Sequence, residues 1–403
     1  MVVQGLFLSY TLGCADGELK GSSAPAVAAP RLGDTVEILP GSGVAGVVHQ
    51  AAHNNLDVIV HDNRIFLAFR TAPSHFASTE TMLYVLSRAD GDDAAPWELE
   101  HSVGMETDLR EPRFLAFDSR LFLYFAVLGQ DAGDFEPQGM MVSERGAAGW
   151  TEPEPNYDQG FIPWRARVVD SGPHEGEPWM IGYIGGENIY DADAEPVVIH
   201  LITTTDGRSW APVAADAEVD VGGGSETDWV VLDDGDLLAV QRNEAGEEGH
   251  WGSKICRVPA TDLGDWSCVN DPLKYDSPLM FRAGGRSWLV GRRNVTETGA
   301  YDLGMDELST LDQANTYALS YWNAPKRCAL WEVDAEALSV AWVLDLPSRG
   351  DTCFPSMVRA PNGAWHIYNY SSPLDDPAMD SDDPSWIEGQ TGETRIYRSE
   401  IWF

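Results

Sequence analysis

Six times along the chain, a polar or acidic start leads into a short apolar strand, a tight turn, a second strand and a charged or aromatic end. The first copy pairs VIV with RIFLAFR across His61-Asp62-Asn63 and ends at Arg70. The second runs from DLREPRFLAF through Asp118-Ser119-Arg120 into LFLYFAV, and the third joins FIPWRARVV to WMIGYI. SETDWVVL and DLLAVQR form the fourth around Asp233-Asp234-Gly235, DSPLMF and RSWLVGRR the fifth, and DTCFPSMV and AWHIYNY the sixth. Equivalent points, at Asp57, Arg110, Arg165, Asp228, Pro278 and Pro355, are separated by roughly 60 residues, room for four strands per unit. The pattern predicts an all-β fold, a six-bladed β-propeller with four-stranded antiparallel blades over residues 45–403. A β-sandwich with regular hairpins is the competing architecture.

The 26 basic residues against 64 acidic ones leave a formal charge of −38. That excess repels a phosphate backbone and argues against nucleic acid as a partner. It equally disfavours anionic membrane surfaces and suits salt-rich or extracellular water. No apolar run is long enough to span a membrane. Residues 1–14 form a short apolar run ending at Cys14 and resemble a truncated bacterial lipoprotein signal, although no basic stretch precedes the run and Leu12 stands where a small residue is usual. Residues 15–44 read as a linker. The chain is therefore expected to be secreted, periplasmic or lipid-anchored, and monomeric. Cys256 and Cys268 flank a turn that they could staple, leaving Cys328 and Cys353 as a second pair; in a reducing compartment the same four would be buried thiols.

In a propeller, first-strand starts and second-strand ends converge on one mouth of the central channel. That mouth should collect Arg70, His75, Asp108, Arg110, Glu111, Arg165, Glu226, Asp228, Arg242, Glu244, Asp276, Arg292, Arg293, Asp351 and Tyr370. Each has a structural explanation as one half of a buried ion pair. Taken together, guanidinium groups arriving from separate blades suit a carboxylate or a sulfate. Carboxylates from several directions suit acid and base roles at a glycosidic bond, and His75 adds a proton carrier. Trp164, Trp229 and Trp251 could stack on sugar rings, though tryptophans in such a fold mostly pack blades. The acidic run DDPAMDSDDPSW could hold a structural Ca²⁺ through its oxygens but lacks the spacing of a calcium loop. No other metal or cofactor is expected.

The segment SETDWVVLDDGDLLAVQRN resembles the sialidase superfamily, in which a Glu precedes a V-V-x-L-x-D-G-x-L run ending in Arg-Asn. TTTDGRSW is close to the Asp-box (BNR) turn of the same family, with SRADGDDAAPW and VSERGAAGW as eroded copies. The resemblance implies Glu226 as the carboxylate beside the nucleophile, Arg242 as one member of an arginine triad, and Arg292 or Arg293 as the next. Two positions depart from the family. Asn-Asn-Leu-Asp stands where sialidases carry Arg-Ile-Pro, so Arg70 would have to replace the first arginine. Phe354 stands where they carry the nucleophilic Tyr, leaving Tyr370, Tyr368 or Tyr275 to supply a phenol, and His75, Glu80 and Asp108 as rivals for the acid.

The leading expectation is a sialidase-like glycoside hydrolase acting on an acidic or sulfated glycan without the usual Tyr nucleophile. Asp108 and Glu226 would act as acid and base, with His75 and Asp351 also catalytic. Arg70, Arg110, Arg165, Asp228, Arg242, Asp276, Arg293 and Tyr370 would bind the substrate. The alternatives are a carbohydrate-binding propeller without catalysis and a protein-interaction propeller; fold alone does not choose among them.

Overall fold

The computed structural model describes residues 29–41, 43–130, 135–186, 195–247 and 249–403. Six antiparallel sheets stand around a central channel as a six-bladed propeller. The innermost strands, in blade order, are Ala52–His61, Leu109–Phe117, Ile162–Val168, Thr227–Val231, Asp276–Ala283 and Ser356–Arg359. Their partners are Arg64–Ala72, Arg120–Val127, Pro178–Ile184, Leu237–Glu247, Arg286–Asn294 and Trp365–Ser371. These pairs are the six hairpins of the repeat. Asp62 and Asn63, with φ of 49° and 58°, make the first turn a primed one, and Asp118 and Ser119 do the same in the second blade. At the Asp-box, Asp206 Oδ1 accepts the N–H groups of Arg208 and Ser209, which holds its carboxyl down to about 2.

The sixth blade takes its outermost strand from the other end of the chain. Arg31–Leu39 pairs antiparallel with Arg395–Trp402, so the ring is closed by strands from both ends of the sequence. The propeller thus includes residues that the sequence reading places in a linker; Cys14 and the segment 1–14 lie outside the described residues. Disulfides join Cys256 to Cys268 and Cys328 to Cys353. One element was not foreseen: an α-helix, Thr310–Trp322, inserted between the second and third strands of the fifth blade. Ser309 caps it by accepting the Asp312 N–H while donating to the Asp312 carboxylate. Its Ala314, Tyr317 and Tyr321 face pack with Trp251 and Tyr301.

Trp164, Trp229 and Trp251 are all buried between elements, which removes them as sugar platforms. Charge inside the ring has a backbone origin. An innermost strand pairs on one side only, and its other edge presents N–H and C=O groups that need partners. Asp57 accepts the Phe114 N–H and the Ser356 hydroxyl, tying the first blade to the second and sixth. Asp228 accepts the Met280 N–H from the fifth blade and pairs with Arg165 and Arg167 of the third. Arg165 in turn donates to the Pro278 carbonyl. Asp228→Ala should leave two guanidinium groups and two N–H groups, of Trp229 and Met280, without this acceptor, at a cost of about 3–5 kcal/mol in a urea unfolding experiment. A loss below about 1 kcal/mol would show that this carboxylate does not link the blades.

Candidate functional site

Four of the six innermost strands carry a register shift near the same mouth: at Asn54/Leu56, Arg110/Arg113, Pro163/Arg165 and Asp276/Leu279. In three of them a residue other than glycine takes a left-handed conformation: Asn55 (φ 42°), Glu111 (φ 50°) and Ser277 (φ 54°). Such bulges re-aim side chains at a cost in backbone strain, and they gather at functional sites. Here all three residues line one cavity of about 330 Å³, together with Arg110, Tyr183, Glu226 and Phe354. A second lobe of about 470 Å³ adjoins it on the side of the inserted helix and is lined by Lys274, Asp276, Tyr321, Lys326 and Asp351. His75, Arg242, Glu244 and Arg292 line both lobes and so stand at their junction.

At that junction the His75 Nδ1 lies 2.8 Å from Asp351 Oδ2. Burial pushes the Asp351 carboxyl up, but His75, Arg292 and Tyr370 outweigh it and hold the group ionised below its usual range. An ionised carboxylate only accepts, so the proton sits on Nδ1 and Nε2 is the nitrogen left for chemistry. The Tyr370 hydroxyl donates to Asp351 Oδ1 at 3.1 Å and accepts from Arg292 at 3.1 Å. Burial and the Asp351 charge push this phenol well above its ordinary value, so it stays protonated. Tyr370 is thus the one of the three proposed phenols that reaches the cavity. Tyr275 is buried against Trp331 and bonded to Asp271, and Tyr368 is buried within the sixth blade.

The fourth blade brings Glu226 and Arg242 together. Glu226 accepts the Ser277 N–H at 2.6 Å and pairs with Arg242 Nη1 at 2.9 Å, and burial raises its carboxyl above the usual range. Arg242 also contacts Glu244 at 3.2 Å. Glu111 accepts from Asn55 at 3.0 Å and lies 3.5 Å from Arg113, whose guanidinium is sandwiched between the rings of Trp164 and Phe354. Glu111 Oε2, the oxygen facing Arg113, makes that ion pair without a hydrogen bond. Burial, aided by the nearby charge of Glu226, lifts the Glu111 carboxyl to about 7. Two carboxyls with elevated proton affinity therefore share the first lobe.

Other sequence-predicted residues lie elsewhere. Asp108 is fully buried, paired with Arg70 at 2.7 Å and with Arg110 at 2.5 Å. Burial pushes its carboxyl up, but the two arginines hold it below the usual range, which disqualifies it as a proton donor. Arg70 is spent inside the wall on Asp108, Asn54 and the carbonyls of Ser74 and Phe76, where it shapes the loop carrying His75. Arg165 and Asp228 sit deeper in the channel as blade links, and Arg165 lines the cavity at its opposite end. Arg293 turns outward onto Asp345 at 2.6 Å, and its neighbour Arg292 faces the cavity, paired with Asp276 at 3.3 Å. The cavity's guanidinium set is Arg110, Arg242 and Arg292, not Arg70, Arg242 and Arg293. Tyr183, Lys274, Tyr321 and Lys326 were missed. The Ser309 to Asp312 capping box was the signal available for the helix that brings Tyr321. Among the described residues no cluster of His, Cys, Asp or Glu could hold a metal ion.

No family model matches the chain, and no curated protein matches it in sequence. Its structure is similar to that of a protein of unknown function from Dyadobacter fermentans, with a TM-score of 0.58 and 15% identity over 92% of this chain and 98% of that one. It is also similar to Trypanosoma rangeli sialidase, with a TM-score of 0.55 and 12% identity over 94% of this chain and 60% of that one. A third similar structure is the endosialidase of phage phi92, with a TM-score of 0.52 and 10% identity over 91% of this chain and 68% of that one. The chain therefore spans 60% of the length of the trypanosomal enzyme. Likeness at these identities speaks to the propeller fold alone.

The raised Glu111 carboxyl gives a stability test. An unfolded glutamate ionises near 4.5 and the folded one near 7, so the native state holds the extra proton across that window. Stability should fall as pH rises from about 4.5 to about 7, by at most about 3 kcal/mol from this group. Glu111→Gln should remove that slope, so that the variant gains on the parent between pH 5 and pH 8 in parallel urea titrations. Equal pH slopes for the two chains would contradict the assignment.

Proposed function

We propose that the mouth binds an acidic glycan and hydrolyses one of its glycosidic bonds. The convergence of Arg110, Arg242 and Arg292, from three blades, on one cavity that also holds proton-exchanging groups carries this reading. Planar guanidinium groups recognise carboxylate and sulfate. His75 stands where the two lobes meet, so a sugar in the first lobe and its leaving group in the second would place the bridging oxygen near Nε2. In the proposed reaction His75, carrying a proton on each ring nitrogen, donates the one on Nε2 to that oxygen as the C–O bond breaks. Water adds to the sugar carbon and gives its proton to Glu111, with Glu226 beside it. A carboxyl near 7 can accept a proton at neutral pH, which supports Glu111 as the base. Asp351 orients His75 by accepting from its Nδ1.

One observation favours a second reading. Phe354 packs edge-on against Trp164 at 5.4 Å and offers no nucleophile, as suits a propeller that binds a glycan without cleaving it. Mass-spectrometric detection of products from sialylated, uronate-containing and sulfated glycans separates the two. Release by the parent chain should fall by about 10²–10⁴-fold in His75→Gln and in Glu111→Gln, while Arg242→Ala should act mainly through weaker binding. No release by a folded protein, alongside saturable binding of the same glycans, would leave the binding propeller as the function.

A further inference from the structure

The cations of the mouth are not equivalent once their partners are counted. Arg110 is matched by Asp108, Arg242 by Glu226 and Glu244, Arg292 by Asp276, and Lys274 by Glu244 at 2.8 Å. His75 faces Asp351. Among the described residues, Lys326 is the basic side chain of the two lobes that forms no ion pair with a carboxylate, and it is only 4% exposed. Its ammonium lies 4.2 Å from the Tyr321 ring and donates to the carbonyls of Tyr321 and Ala324, at the end of the inserted helix. The next guanidinium, Arg292, has an Nε that is buried without a hydrogen-bond partner.

We propose that Lys326, with Arg292 beside it, receives the anionic group of the ligand in the helix-side lobe. The inference rests on the reading that this mouth binds an acidic glycan, and it says where the charge of that glycan goes. A neutral amine has two N–H groups, and the two carbonyls use both; a third proton is what an anionic oxygen would engage. Helix-terminal carbonyls explain why a lysine is tolerated here but leave its charge unmatched. Burial lowers the Lys326 amine to about 7, with Arg292 and Lys274 adding to the effect and Asp276 and Asp351 opposing it. Tyr321, Trp386, His75 and Glu244 complete its surroundings. Anion binding and proton uptake are therefore coupled, and the site selects for a ligand charge rather than for hydroxyls alone.

Calorimetric titration of the full chain with N-acetylneuraminic acid and with glucuronic acid, each beside its uncharged methyl ester, tests this at pH 6 and pH 8.5. Two buffers of different ionisation enthalpy report the protons taken up. Affinity for the bound acid should drop about thirtyfold between the two pH values, because the competent ammonium form becomes scarce, and at pH 8.5 binding should take up close to one proton. Lys326→Met should lose most of the affinity for the acid, the proton uptake and the preference over the ester, while Lys326→Arg keeps the preference and loses the uptake. Glu111 titrates in the same range, but its contribution persists in Lys326→Met, so the comparison isolates the lysine. Acid binding by the parent without proton uptake, or by folded Lys326→Met with parental affinity, overturns the inference and leaves the glycan reading standing. Failure of the parent to bind acid or ester at either pH overturns both. If Lys326→Met does not fold, the proton uptake lost in Lys326→Arg decides the matter, because Glu111 is the same in both chains.

Discussion

A propeller has a problem at its axis: six strands each turn one hydrogen-bonding edge toward the channel, where no further strand can pair with it. The charged residues of the innermost strands answer that problem first. Asp57, Asp228 and Glu226 accept N–H groups across blade boundaries, and Arg165 and Arg167 donate to carbonyls of the fifth blade. Charge in the ring is thus a requirement of the architecture before it is a sign of function. On the proposed function, the residues that act are those with capacity left once the backbone and each other are satisfied, such as His75 with a second ring nitrogen.

This separates what could be read from the sequence from what could not. The repeat period, the turn residues and the alternation of strands located all six hairpins, because those depend on local chemistry. Convergence of strand ends also followed, and it brought His75 and Asp351 into contact across 276 positions of sequence. Orientation at the strand ends was not legible. The shift between Asp276 and Leu279 lies opposite the second-strand end of the fifth blade, where Arg292 rather than Arg293 faces inward; nothing in the residue types announces such a bulge. Asp108 looked available because sequence cannot show that Arg70 and Arg110 occupy it from both sides. Tyr321 lies on the inserted helix and Lys326 opens the third strand of the fifth blade, both outside the recurring hairpin, and a search for periodicity passes over whatever does not recur.

The site also stands out against the composition of the whole. In a chain of charge −38, the three lysines within the described residues, Lys254, Lys274 and Lys326, are all buried, and two of them line the mouth. On the proposed function, an acidic ligand would approach against the overall field and meet compensating cations only inside the cavity. Salt that screens the outer field leaves the buried contacts largely intact. Selectivity for charge would then be exercised after entry rather than during approach.

The closing strand has a further consequence for how the molecule comes into being. Arg31 lies opposite Trp402, and Leu39 opposite Ile396, so the sixth sheet contains the earliest and the latest strands of the described chain. Five blades can form from neighbouring segments in the order in which they are synthesised. The last must wait, and Arg31–Leu39 stays unpaired until Arg395–Trp402 has been made. Bringing such distant segments together costs little more entropy than closing a ring half as long, yet it makes the final contact the most non-local one. An emerging chain is an open arc with two unsatisfied faces, and it becomes a sealed ring only once Arg395–Trp402 is available to pair.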